Sequence, residues 1–116
     1  MDTRLQEALD FSNYRLTLST QIENLKIKLA SDLLVTHANG IFTADMDRIA
    51  LVERLKTEYT DFPVIDDNGI PISIPNLDEF YKLLFGTYCT AMKAYADEYQ
   101  KVAKARNIKK IVDYNE

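Results

Sequence analysis

A predominantly helical α+β fold is the architecture this sequence predicts: two long antiparallel helices, one shorter helix, and a small β-hairpin or three-stranded sheet. Three observations carry it. Apolar residues recur at helical spacing through the first third of the chain. They do so again, with tyrosines among them, after Asn76. Between these stretches, Asn68-Gly69 sits between β-branched runs, which is the pattern of a hairpin turn.

The first helix is expected over about 3–37, with Asp2 and Thr3 as N-cap residues and Glu7 near its positive end. Asn39-Gly40 supplies the left-handed backbone that ends a helix. A helix of about 35 residues would be near 50 Å long at about 1.5 Å per residue. Phe11, Leu18, Ile22, Leu25 and Leu29 share one face, whereas Leu5, Leu9, Leu16, Ile27 and Leu34 fall near the opposite one. A surface helix of a small monomer needs one buried stripe. A second stripe asks for a second partner, from inside the fold or from another chain.

Residues 40–44 (GIFTA) read as a short strand able to join the hairpin as its third strand. Asp45 then caps a helix over about 46–59, with Met46, Ile49, Ala50, Val52 and Leu55 toward the core. The hairpin, about 63–75, is expected to turn through a two-residue type I′ loop with positive φ at both Asn68 and Gly69. Pro63, Pro71 and Pro75 guard its rims against further pairing. Asn76 caps the last helix, about 77–106, with Asp78 and Glu79 in its first turn. Its apolar face is Leu77, Tyr81, Leu84, Tyr88, Met92, Tyr95, Tyr99 and Val102. Asp78 with Lys82, and Asp97 with Lys101, form acid-before-base pairs at i, i+4. Asn107 is expected to interrupt the helix, leaving a tail over 107–116. The whole, 1–116, reads as a single domain.

With 47% apolar and 28% charged residues, the composition is that of a globular protein, and the formal charge of −4 argues against general nucleic-acid binding. No long apolar run suggests a membrane span, and charge within 1–11 (MDTRLQEALDF) argues against a secretory signal. Cys89 has no second cysteine to pair with, which fits a cytoplasmic protein.

Chemistry-bearing residues are sparse. Cys89 reads as a buried structural thiol, and His37 as a residue at a helix C-terminus, capped or in solvent, instead of nucleophile and base. Asp66-Asp67-Asn68-Gly69 has the acids and glycine of a calcium loop, but Val64 and Pro75 stand where that loop needs ligands, so a turn is the better reading. Gly40, Gly69 and Gly86 are too far apart for a phosphate loop. No catalytic residue, metal, cofactor or small-molecule substrate is therefore expected. Lys101, Lys104, Arg106, Lys109 and Lys110 form a basic segment without an acid, against nine basic and eighteen acidic residues elsewhere, a balance of −9. Cations gather at helix C-termini in any case. Such an end also suits docking on an acidic protein or, less well for want of interleaved aromatics, on nucleic acid.

Residues 1–18 (MDTRLQEALDFSNYRLTL), 37–45 (HANGIFTAD) and 104–113 (KARNIKKIVD) resemble short structural or head-assembly proteins of T4-like marine bacteriophages. The resemblance implies a virion or prohead core or scaffold component, in the host cytoplasm or the virion, and brings no catalytic residues. The function expected is a non-enzymatic helical assembly protein. Leu9, Leu16, Ile27 and Leu34 would face a second copy or another virion protein. The alternative is a regulatory adaptor that binds a host protein or nucleic acid through the basic segment.

Overall fold

A computed structural model describes the backbone of residues 3–115 and the side chains of residues 3–104. The fold is α+β and mainly α, in the order α1 (Thr3–Asp32), β1 (Leu34–His37), β2 (Gly40–Thr43), α2 (Met46–Lys56), β3 (Phe62–Ile65), β4 (Pro71–Ile74) and α3 (Leu77–Asn115). The chain divides into two compact units. One is Leu29–Lys93, and the other joins Met1–Lys28 to Ala94–Glu116.

The first helix stops at Asp32, short of the expected 37, because Leu34–His37 is a strand. It pairs antiparallel with β2 in the register Leu34↔Thr43 to His37↔Gly40. Ala38 and Asn39 both take positive φ, 49° and 68°, so the type I′ turn lies here and not at Asn68-Gly69. The pairing places Val35, Phe42 and Ala44 in the core. Gly40 allows a close approach, since a Cβ there would meet Ile72 Cγ1 at 2.7 Å and the Phe42 ring at 2.9 Å.

In the second hairpin Ile65 stands opposite Pro71, which leaves residues 66–70 to connect the strands. Pro71 has no N–H and cannot close a hydrogen-bonded pair. Closure passes to the next pair out, where Asp66 N–H donates to the Ile70 carbonyl at 2.9 Å. Gly69 N–H donates to the Asp66 carbonyl at 3.0 Å, and Gly69 alone in this loop takes positive φ, 76°. The result is a three-residue loop ending in a glycine bulge instead of a two-residue turn. The strands form two separate two-stranded sheets, not one of three strands.

Asp45 caps α2 through Arg48 N–H at 2.8 Å, as expected. The helix ends at Lys56, and Thr57 caps it through its N–H and its hydroxyl, the latter donating to the Arg54 carbonyl at 2.7 Å. Ile49 and Val52 are buried and Leu55 half-buried, but Met46 and Ala50 are exposed, since so short a helix turns one narrow stripe inward.

Asn76 Oδ1 accepts from Glu79 N–H at 3.1 Å and starts α3. The helix continues through Asn107, a residue only mildly unfavourable within helices, so 107–115 is not a separate tail. Lys82 pairs with Asp78 at 3.1 Å, but Lys101 takes Glu98 at 3.2 Å and not Asp97. On the expected face Leu77 and Leu84 are buried, and Tyr81, Tyr88, Met92, Tyr95 and Val102 are half-buried; Tyr99 is exposed. Phe80 and Ala91, off that face by sequence, are buried as well.

In the unit Leu29–Lys93, the core gathers Val35, Phe42, Ala44, Ile49, Val52, Val64, Ile74, Leu77, Phe80 and Leu84. Phe42 meets Phe80 edge-on at 4.8 Å, and His37 stacks on Phe80 at 5.0 Å. In the other unit, Tyr14, Leu18, Ile22 and Leu25 of α1 are half-buried and Phe11 is exposed. Gly69→Val should lower stability by about 1–2 kcal/mol, because a β-branched residue resists positive φ. An unchanged denaturation midpoint would contradict this loop.

Candidate interaction surfaces

In a two-residue hairpin the pair flanking the turn is hydrogen-bonded, and pairs alternate from there. Gly40 and Phe42 therefore face β1, while Ile41 and Thr43 aim their backbone groups away from it. The β3–β4 loop occupies that outer edge. Ile41 N–H donates to Asp66 Oδ2 at 3.4 Å, and the Ile41 carbonyl accepts from Asp67 N–H at 2.8 Å. Thr43 donates twice to Asp67, through its N–H to Oδ1 at 3.1 Å and its hydroxyl to Oδ2 at 2.7 Å. Arg48 closes the junction. Its Nη1 donates to the Thr43 carbonyl at 3.0 Å and to Asp67 Oδ1 at 2.6 Å, and its Nη2 donates to the Ile65 carbonyl at 3.1 Å. The guanidinium also lies 5.3 Å from the centre of the Phe42 ring.

Asp66 is buried, yet its Oδ1 accepts the amides of Asn68 and Ile70, both at 2.9 Å. The Ile70 amide first, with those of Ile41 and Asn68, holds its carboxyl below the usual range against the opposing pull of burial. Burial pushes Asp67 up, but the Thr43 hydroxyl, Arg48 and the Thr43 amide together outweigh it, so Asp67 also lies low. Two ionised carboxylates with their oxygens taken by fixed donors hold structure in place. The junction is a clamp. The sequence reading missed the roles of Arg48, Thr43 and this acid pair. Its one available signal was Asp at the first position of a turn, where such side chains fold back on following amides.

The expected partner-binding residues fall in different places. Leu5, Leu9, Leu16 and Ile27 lie on α1 and are exposed, at 52%, 43%, 64% and 62%. At about 100° per residue they share one narrow arc opposite Tyr14, Leu18, Ile22 and Leu25. Ser12, Asn13, Thr20 and Glu23 interrupt that arc. Leu5, Leu9 and Leu16 thus form a section about 16 Å long, with Ile27 standing about as far again along the axis. Leu34 is not on this face, because it belongs to β1, where it is exposed.

Lys101 and Lys104 are exposed on α3, and Lys101 is tied to Glu98. The side chains of Arg106, Lys109 and Lys110 lie outside the described residues. His37 is a half-buried strand residue instead of a helix cap, and Cys89 is exposed instead of buried. Among the described residues, no group of three or more His, Cys, Asp or Glu could hold a metal ion, and no helix is long and apolar enough to cross a membrane. An open groove of about 400 Å³, which the sequence gave no sign of, runs between α2 and β3. It is lined by Leu51, Leu55, Phe62, Val64 and Ile65, with Asp45, Asp47 and Arg48 adding charge.

No family model, curated protein or solved structure matches the chain.

Acid should loosen the clamp. Folding lowers the carboxyl pKa of Asp66 and Asp67, so their contribution is fully present above about pH 4 and fades as pH falls through their folded values. Thermal midpoints of wild type should fall below about pH 4. Asp66→Asn should melt lower at neutral pH, since an amide NH2 would face a backbone donor, and should show a shallower acid decline. A midpoint in Asp66→Asn equal to wild type at both ends would contradict the assignment.

Proposed function

We propose that this chain is a non-enzymatic helical assembly protein that contacts a second copy of itself, or another protein of the same assembly, through the exposed apolar face of α1. The observation that carries the reading is the exposure of Leu5, Leu9, Leu16 and Ile27 opposite the half-buried stripe of the same helix. The section formed by Leu5, Leu9 and Leu16 is the part of this face that a monomer would gain most by covering. Covering each one contributes roughly 1.5–3 kcal/mol before ordering costs. The arrangement in which α1 and α3 run antiparallel belongs to the same proposal, because it turns the half-buried stripes of both inward and leaves the Leu9–Leu16 face outward.

The resemblance of residues 1–18, 37–45 and 104–113 to head-assembly proteins of T4-like phages supports a setting in a virion or prohead, or in the host cytoplasm before assembly. An adaptor working through Lys101, Lys104 and the residues that follow is the second reading. Its support is the concentration of positive charge on an otherwise acidic chain. Salt separates the two, because contacts between charges weaken steeply with ionic strength and apolar packing does not.

Sedimentation of wild type against Leu9→Glu/Leu16→Glu tests the leading reading. The variant should sediment as a smaller species at equal concentration, with helicity unchanged and with the difference kept in high salt. Identical sedimentation of two folded proteins would overturn the role of this face. Association that high salt abolishes would place the contact in the basic segment.

A further inference from the structure

The four strands treat their outer edges differently. The outer edge of β2 is filled by the Asp66–Asp67 loop. In the β3–β4 register, Pro63 pairs with Ser73 and Ile65 with Pro71, and closure through Asp66 and Ile70 makes both of these non-hydrogen-bonded pairs. Pro63 and Pro71 therefore sit at outward positions, where each withholds a donor from any added strand. The outward carbonyl of Ile65 is already taken by Arg48. Three edges are closed or blunted.

The outer edge of β1 is neither filled by a loop nor blunted by proline. Leu34 and Thr36 occupy the outward positions opposite Thr43 and Ile41, and both side chains are exposed. No hydrogen bond among the described residues reaches their outward amides and carbonyls. At four residues the strand is short, which limits pairing, but it has neither proline nor a formally charged residue to bar an added strand.

We propose that the β1 edge is a self-pairing surface on which a second copy of this chain adds its own β1, antiparallel about a two-fold axis at Val35. The spacing of the open groups sets the register, and a second copy of β1 presents that same spacing. Residues that expose backbone groups must lie opposite one another, which sets Leu34 against Thr36 of the second copy and Thr36 against its Leu34. Each of these two pairs exchanges two hydrogen bonds, and Val35 meets its own counterpart in a non-hydrogen-bonded pair between them. Every outward group of the strand is then satisfied, and the β1–β2 sheet of each copy becomes half of a four-stranded one. The uncharged strand sets no like charges against each other. This surface is separate from the α1 face and does not depend on it. Two self-complementary contacts on one chain would extend assembly beyond a dimer.

The test uses the full chain, both as wild type and in the Leu9→Glu/Leu16→Glu background, so that association through α1 is removed independently. In that background a dimer should remain at high concentration. Thr36→Pro removes one outward donor without touching an inner ladder bond, and Leu34→Lys places charge at the edge. Each should raise the dissociation constant at least about tenfold, with circular dichroism and melting unchanged. Leu34→Lys carries the test if Thr36→Pro alters the fold. Register is read separately in Cys89→Ser chains. A mixture of Leu34→Cys and Thr36→Cys should oxidise to disulfide dimers several-fold more readily than either alone. A monomer at every concentration, dimers indifferent to both edge variants, or equal cross-linking in mixed and unmixed samples would each overturn the proposal.

Discussion

The guanidinium of Arg48 reaches three acceptors from separate parts of the chain: the Thr43 carbonyl at the end of β2, the Ile65 carbonyl at the end of β3, and the Asp67 carboxylate between β3 and β4. Two-stranded hairpins with four-residue strands are marginal in water by themselves. Here the acidic loop of one hairpin supplies hydrogen-bond partners to the edge of the other, and Arg48 joins both to the first turn of α2. Phe42, on β2 between the two clamped residues, is fully buried and packs on Phe80 of α3. If the clamp opened, Ile41 and Thr43 would regain bare edge positions, and the side of the core formed by β2 would lose its anchor.

This clamp accounts for the separation of the two sheets. A third strand on β2 would need the positions that Asp66 and Asp67 occupy, and carboxylates accept from two amides without requiring the straight backbone of a strand. Asp66 also fixes its own loop through Asn68 and Ile70, so one side chain sets the local turn and part of the long-range junction. Lys56 adds a more exposed tie from α2 to Asp78 at the start of α3, at 3.3 Å, and lies over the Tyr81 ring. Such an exposed pair contributes little by comparison.

Much of the helical part was legible because its signals are local. Asp45 and Asn76 cap the helices they precede, and the spacing of Leu18, Ile22, Leu25 and Leu29 marks the half-buried side of α1, although Phe11 of the same expected stripe is exposed and Tyr14 takes its place. Misreadings arose where one local pattern serves two structures. Leu34-Val35-Thr36-His37 continues the apolar rhythm of α1, and Asn39-Gly40 ends a helix as well as it follows a hairpin turn. Only the packing of Val35 and Phe42 decides between them. Pro71 fixed the length of the second loop through a missing donor, an effect that the Asn-Gly pair alone conceals. Arg48 was illegible for a different reason. Two of its three acceptors are 17 and 19 residues away and meet only once both hairpins exist. The exposed face of α1 was visible as a pattern, but losing Leu34 to β1 shortened it and left an open strand edge that helical periodicity had hidden.

Native-state hydrogen exchange tests most directly whether side chains of the loop replace a third strand. The Thr43 amide faces away from β1 and would exchange freely on an open edge. With Asp67 as its acceptor it should be protected to nearly the same free energy as the Phe42 amide within the ladder, and should open together with it. Thr43 exchange as fast as that of Ser73, an outward amide on β4, would contradict the account, because the edge of β2 would then be open in solution and the two hairpins held by apolar contact alone.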